Sequence, residues 1–324
     1  MSTDTIDDTD RTPTGGFAAE PVSKVGDRVF SGLSRGAGII ILVTLAGVAM
    51  FLVWNAMPAL TASSKEIGPG GDEGNGKGFL SYVGTLAFGT VWAALLALLI
   101  AVPFGVAIAL YISHYAPKRL SRTLGYVIDL LAAIPSVVYG LWGIFVLAPT
   151  MADHVYPWFS DHLGFVPMFS GKVLASGRSM ATVALVLAVM ILPIITAISR
   201  EVFLQTPRLN EEAALALGAT RWEMIRIAVL PYGKSGVISG AMLGLGRALG
   251  ETMAVALILA PANVYSLKLF TSQNPNTIAA NIALQFPEST GLEVNTLIAT
   301  GLVLFAITLF VNLMSRRAAR GNIF

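Results

Sequence analysis

The sequence predicts an all-α polytopic membrane protein with six transmembrane helices and both termini cytoplasmic. Three observations predict it. Of 324 residues, 55% are apolar and only 12% are charged, about half the charge that a water-facing surface of this size needs. The apolar residues gather into uncharged runs, each long enough for the ~20 residues of a membrane helix. The basic residues fall unevenly between the loops of a six-crossing arrangement, fifteen on one side and five on the other, as cytoplasmic loops require. The mean hydropathy of +0.71 agrees, and together these exclude an ordinary soluble enzyme. Cysteine is absent, which excludes disulfides, Cys-ligated zinc, iron–sulfur clusters and thiol nucleophiles.

Residues 1–35 start acidic, with Asp4, Asp7, Asp8 and Asp10 among Pro, Gly and Thr. They contain no apolar segment with a small-residue cleavage site, so a disordered cytoplasmic tail is expected rather than a signal peptide. Residues 36–78 are expected to hold the first span, Gly36–Leu60, and an external Gly-rich loop. The second run, Phe79–Tyr115, has 37 residues and would reach about 55 Å as one helix against a ~30 Å hydrocarbon core. A hairpin near Pro103–Gly105 would lower the charge bias to thirteen against seven, so one helix with tilt, overhang or a kink at Pro103 is predicted. The third to sixth spans are predicted at Leu124–Thr150, Ala181–Ser199, Val237–Ala262 and Thr296–Ser315. Tyr156, Trp158 and Phe159 suggest a segment at the membrane interface.

Between the fourth and fifth spans the sequence specifies two short helices. Thr206 stands as a cap before Pro207, a residue tolerated in a first helical turn. Glu211 to Leu217 are helix formers, and Gly218 supplies a left-handed stop. Thr220 and Glu223 have the spacing of a capping box, and that second helix meets Pro231. A passive connector and a docking surface for a soluble partner are both open to this pair.

Arg247 and Glu251 are the opposite charges deep within a predicted span. An ionised group there costs about 2.5–3.5 kcal/mol on insertion scales. Four residues apart on a continuous helix, they could pair. Gly236, Gly240 and Gly244 form a small-residue stripe beside them, suited to close helix packing. Two roles are open: a structural ion pair, or part of a substrate route, in which a guanidinium would grip a tetrahedral oxyanion. The carboxylate could accept a hydrogen bond from hydrogen phosphate and would repel sulfate. Ser136 and Tyr139 could line the route with hydroxyls or bond between helices, and Asp129 is expected to snorkel or pair with a basic loop residue. Gly71–Gly78 approximates a P-loop but has Gly78 where Ser or Thr should ligate magnesium. His154 and His162 do not make a metal site by spacing.

Glu212-Ala213-Ala214, Gly218 and Leu230-Pro231 carry a specific resemblance to the permease subunits of ABC importers. The departure is Ala228 where that motif has Ile, with Ile227 adjacent. The resemblance implies the type I importer permease fold over residues 79–318, with coupling helices at 207–230 docked on an ATPase. Glu212, Ala213 and Leu217 would make the contact. Gly244-Leu245-Gly246-Arg247-Ala248-Leu249-Gly250-Glu251-Thr252-Met253-Ala254 resembles the signature of the C-type permease of phosphate-specific ABC importers. Ile134 to Gly143, Ile191 to Ile195 and Ser199-Arg200-Glu201 resemble the same family. That likeness implies import of inorganic phosphate across the bacterial plasma (inner) membrane, with Arg247 and Glu251 in transport. It further implies an A-type permease as heterodimer partner, two ATPase subunits holding ATP and magnesium, and an external phosphate-binding protein. This chain would then have no cofactor, no enzymatic activity and no nucleic acid partner, and would otherwise face lipid. A permease for sulfate or molybdate, and a self-sufficient secondary transporter or channel, are the alternatives.

Overall fold

The computed structural model describes residues 24–62, 78–262 and 264–320. Most of the Gly-rich loop, with its P-loop likeness, lies outside them, as does the tail before Lys24. The chain divides into two compact units, residues 1–51 and 52–324. Helix α1, Lys24–Thr61, starts within the segment expected to be a disordered tail, so residues 24–35 are helical. Through residue 51 it exposes Val29, Phe30, Leu33 and the run Ile39 to Val43 on all sides, as a lipid-facing helix does.

In the second unit α2, Phe79–Leu110, continues through Pro103 and ends in a π-helical turn, Tyr111–Tyr115. No hairpin forms. Next come α3, Lys118–Ala132, and α4, Ser136–Trp142. Helical chain then runs on through π turns and the short α5, Ala148–Thr150, to α6, Tyr156–Leu163. Helix α7, Met180–Leu204, is followed by α8, Arg208–Ala216, and α9, Arg221–Met224. Helices α10, Leu230–Leu249, and α11, Met253–Ile258, precede a minimal parallel pair, β1 at Pro261–Ala262 and β2 at Asn274–Pro275. The described chain closes with α12, Ile278–Gln285, and α13, Leu292–Arg320.

Five helices among the described residues are long and apolar enough to cross a membrane: Gly26–Thr61, Phe79–Tyr115, Ser136–Leu163, Met180–Leu204 and Leu292–Met314. The prediction of six uninterrupted spans is corrected at two places. The third begins at Ser136, because Pro135 cannot donate into a helix and Ala133–Pro135 breaks the chain; residues 118–132 form a separate amphipathic helix. The fifth is broken after Leu249.

Helix α7 is the centre of the core. Leu187, Ile191 and Ile195 are buried against the small faces Ala93, Ala94, Ala97 and Ala101 of α2 and against Ala248 and Leu249 of α10. Alanines at this spacing let α2 lie close to α7, so packing and not charge holds the centre. Helix α12 is fixed by polar contacts. Thr90 Oγ1 accepts the Ile278 N–H at 2.9 Å, and Asn281 Nδ2 donates to the Tyr82 hydroxyl at 2.7 Å. Inside a membrane such groups must be satisfied within the protein. Tyr156, expected at the interface, is 2% exposed and stacks on Phe270 with centroids 4.4 Å apart.

Candidate functional site

The break in the fifth helix has a local cause. In an uninterrupted helix the Ala254 N–H would bond the Gly250 carbonyl. Here Glu251 Oε1 accepts the Ala254 N–H at 3.0 Å, and the Thr252 hydroxyl donates to the Gly250 carbonyl at 3.1 Å. Two side chains take the two halves of one backbone bond, the competition that short polar groups offer a helix. Gly250, without a Cβ, offers the bend little steric resistance.

The break separates the expected charge pair. Glu251 is buried, 8% exposed, and faces the start of α11. Arg247 is half-buried in the last turn of α10, where the helix dipole favours a cation. No Arg247–Glu251 ion pair forms among the described residues, because the chain turns between them. Arg247 makes no hydrogen bond or ion pair among those residues and lies within Coulombic reach of Tyr139.

Helix α4 packs on α11 through Gly140, where a Cβ would meet Ala254 and Leu257. This brings Ser136 and Tyr139 to the same region. Ser136 begins α4, half-buried, with no hydrogen bond among the described residues. The Tyr139 hydroxyl instead donates to the Leu131 carbonyl at 2.9 Å, tying α4 back to the end of α3. Sequence reasoning missed Arg178, which closes the far end of α11. Its Nε donates to the Ile258 carbonyl at 3.2 Å, and its Nη2 reaches the Leu257 and Leu259 carbonyls at 3.4 and 3.3 Å. Asn274 joins the same corner, accepting the Met180 N–H at 3.0 Å. An Arg eighty residues from α11 carries no sequence signal for this contact.

Gly236, Gly240 and Gly244 face α7, where a Cβ would meet Val202, Ile198 and Ile195 respectively. Helix α10 therefore lies close along α7.

At the opposite end of α10, the helix pair departs from expectation in two respects. Pro207 occupies the cap position of α8, while the Thr206 hydroxyl is buried and unpaired rather than capping. The second helix does not stop at Pro231. The Leu230 N–H bonds back to the Ile225 carbonyl, and this π-helical turn, Ile225–Val229, carries the helix past the proline. Helical structure is thus continuous from Arg221 to Leu249.

The turn between α8 and α9 follows the sequence. Gly218 is left-handed at φ 84°. Thr220 Oγ1 accepts the Glu223 N–H at 3.3 Å, and the Glu223 carboxylate accepts the Thr220 N–H at 2.8 Å. That backbone bond, then the Thr220 hydroxyl, hold the Glu223 carboxyl below the usual carboxylate range. Glu212 and Ala213 are exposed, Ala214 is half-buried, and Leu217 is 90% exposed. Leu230 packs on a cluster of Ala109, Leu110, Phe203, Met224, Ile225 and Val229, which seats the pair on α2 and α7. A further link was not visible in sequence: His114 Nε2 lies 3.5 Å from Glu211 Oε1, joining the end of α2 to α8.

The family described as the binding-protein-dependent transport system inner membrane component matches residues 101–322. The phosphate transport system permease protein PstC 2 of Mycobacterium tuberculosis is 44% identical over 315 residues, covering 92% of this chain and 93% of its own. The phosphate transport system permease protein PstC of Pasteurella multocida is 45% identical over 233 residues, covering 70% of this chain and 71% of its own. A bacterial ABC transporter involved in alginate import has a chain that superposes with a TM-score of 0.53 at 18% identity, covering 90% of this chain and 99% of that one. A chain of the MetNI methionine ABC transporter gives 0.51 at 15% identity, covering 76% and 96%. These likenesses show the fold of an ABC importer permease. The chain belongs to the family of binding-protein-dependent transport system inner membrane components.

Proposed function

We propose that this chain is the C-type permease subunit of an ATP-driven importer of inorganic phosphate, in the bacterial inner membrane. The observation that carries the reading is Arg247, a cation without a protein partner among the described residues, at a helix break within the spans. Its guanidinium is free to take a tetrahedral oxyanion through its forked donors, and the names of the relatives support phosphate as that anion. Ser136 supplies a free hydroxyl nearby. Glu251 keeps one oxygen on the Ala254 N–H and has a second for a protonated oxyanion. The chain itself performs no chemistry and holds no cofactor; ATP and magnesium would sit on the partner ATPases.

With α10 and α11 together taken as the fifth crossing, six crossings and cytoplasmic termini follow from the loop charge. An A-type permease would complete the pore, two ATPases would dock on α8 and α9, and an external phosphate-binding protein would deliver the anion. Phosphate uptake into reconstituted vesicles, with sulfate as competitor, tests the reading. Uptake suppressed by excess phosphate and not by sulfate is expected; equal suppression by sulfate would make the chain a general oxyanion permease. If Glu251→Gln leaves the preference unchanged, the carboxylate has no part in selecting the anion.

A further inference from the structure

We propose that the cleft between α3 and α7 holds the headgroup of an aminophospholipid, its phosphodiester on Arg200 and Arg122 and its ammonium on Asp129. The cleft has a volume of about 270 Å³ and is lined by Ser121, Arg122, Tyr126, Asp129, Arg200 and Leu204. Arg200, near the end of α7, makes no hydrogen bond or ion pair among the described residues, and its Nε is buried without a partner. A buried donor on a charged group is costly to leave unmade, and an acceptor entering the cleft removes that cost. Gly125 makes the room in which the Arg200 guanidinium lies against α3. A Cβ at Gly125 of α3 would collide with the Arg200 guanidinium.

The position is that of a headgroup. Helix α3 is amphipathic, opens with Lys118 and Arg119, and exposes Tyr126 and Leu130 at 69% and 70% beside the cleft. That combination sets a helix in the interface plane, apolar residues toward the acyl chains. Basic pockets at the membrane interface, such as this one between an amphipathic helix and a span, suit lipid headgroup phosphates.

Asp129 decides the kind of lipid. Arg122 and Asp129 are seven residues apart on one face of α3, about 10 Å along its axis, with Gly125 and the Arg200 guanidinium between them. A phosphodiester has no proton to offer the Asp129 carboxylate, which instead matches an ammonium tethered to it; inorganic phosphate carries no such ammonium. The site is separate from the proposed transport route. Val202 and Ile198 of α7 lie against Gly236 and Gly240, so Arg200 is roughly 13 Å below Arg247 along α10.

The test is lipid retention by the full-length chain purified in its membrane complex, read by native mass spectrometry. Phosphatidylethanolamine, phosphatidylglycerol and phosphatidylcholine are offered separately, with and without inorganic phosphate. Preferential retention of phosphatidylethanolamine is expected. Asp129→Asn, an exposed position, should lower that preference about tenfold, and Arg200→Gln should lower retention of every phospholipid by at least as much. Arg200→Lys, which keeps the charge, should recover part of the retention. Equal retention of the three lipids by the wild type, or an unchanged preference in Asp129→Asn, overturns the proposal. Displacement by inorganic phosphate also overturns it and makes the cleft a free-phosphate site. Retention is read without transport, so failure here leaves the phosphate reading standing, and loss of uptake leaves this one standing.

Discussion

Arg247 and Glu251 show how two residues close in sequence acquire different tasks. On a continuous helix they would share a face and neutralise each other. With the chain broken between them, Glu251 serves the backbone of α11 and Arg247 keeps its donors. Arg247→Gln should reduce phosphate uptake in reconstituted vesicles by about 10- to 100-fold, the loss of a charge-assisted contact of roughly 1.5–3 kcal/mol. Membrane insertion should be unaffected. Arg247→Lys should fall between, having charge without the fork. Glu223 gives a pH signature outside the membrane. Its carboxyl is held low by Thr220, so the cap's contribution is present above the ordinary carboxylate range and is lost as pH falls through the depressed value. Amide exchange at the start of α9, referenced to intrinsic rates, should accelerate on that acid side, and Thr220→Ala should accelerate it at neutral pH.

Helices α9 and α10 form one helical path because the π turn ahead of Pro231 keeps it intact. A displacement of the exposed helix pair therefore has a stiff route to the break at Gly250. Two features guide it: the glycine face of α10 against α7, and the His114–Glu211 contact that ties α8 to α2. Gly240→Leu should overpack the α7 contact and destabilise the chain by about 1–3 kcal/mol, seen as a lower melting temperature in detergent. Glu211→Ala should leave the fold intact and loosen α8 from α2, lowering phosphate moved per ATP hydrolysed while ATPase activity persists. Unchanged stoichiometry in Glu211→Ala would mean that the contact transmits nothing.

Among the described residues, much of the exposed apolar surface suits lipid, and the exposed face of the α8–α9 pair suits a soluble protein. Leu217, 90% exposed beside Glu212 and Ala213, stands with the exposed Leu209 and Trp222 as apolar surface on the α8–α9 pair, suited to a protein partner. Glu212→Lys should insert normally and fail to couple, measured as lost uptake with wild-type membrane levels. The wild-type chain should co-purify with an ATPase, whereas a self-sufficient channel would purify alone.

The sequence by itself determined the class, the apolar helices α1, α2, α7 and α13, the glycine stripe, and the turn at Gly218 with its capping box. Each depends on composition, period or a local bond between near neighbours. The break in the fifth helix, the separate α3 and the passage through Pro231 rest on local bonds and breaks that apolar periodicity leaves unseen. Only the tertiary structure decided the contacts of Arg178, His114 and Arg200. Those depend on which backbone groups find side-chain partners and which distant elements meet. Arg247 was visible as a charge in an apolar run; that it stands unpaired follows from the bend at Gly250, which hydropathy does not record.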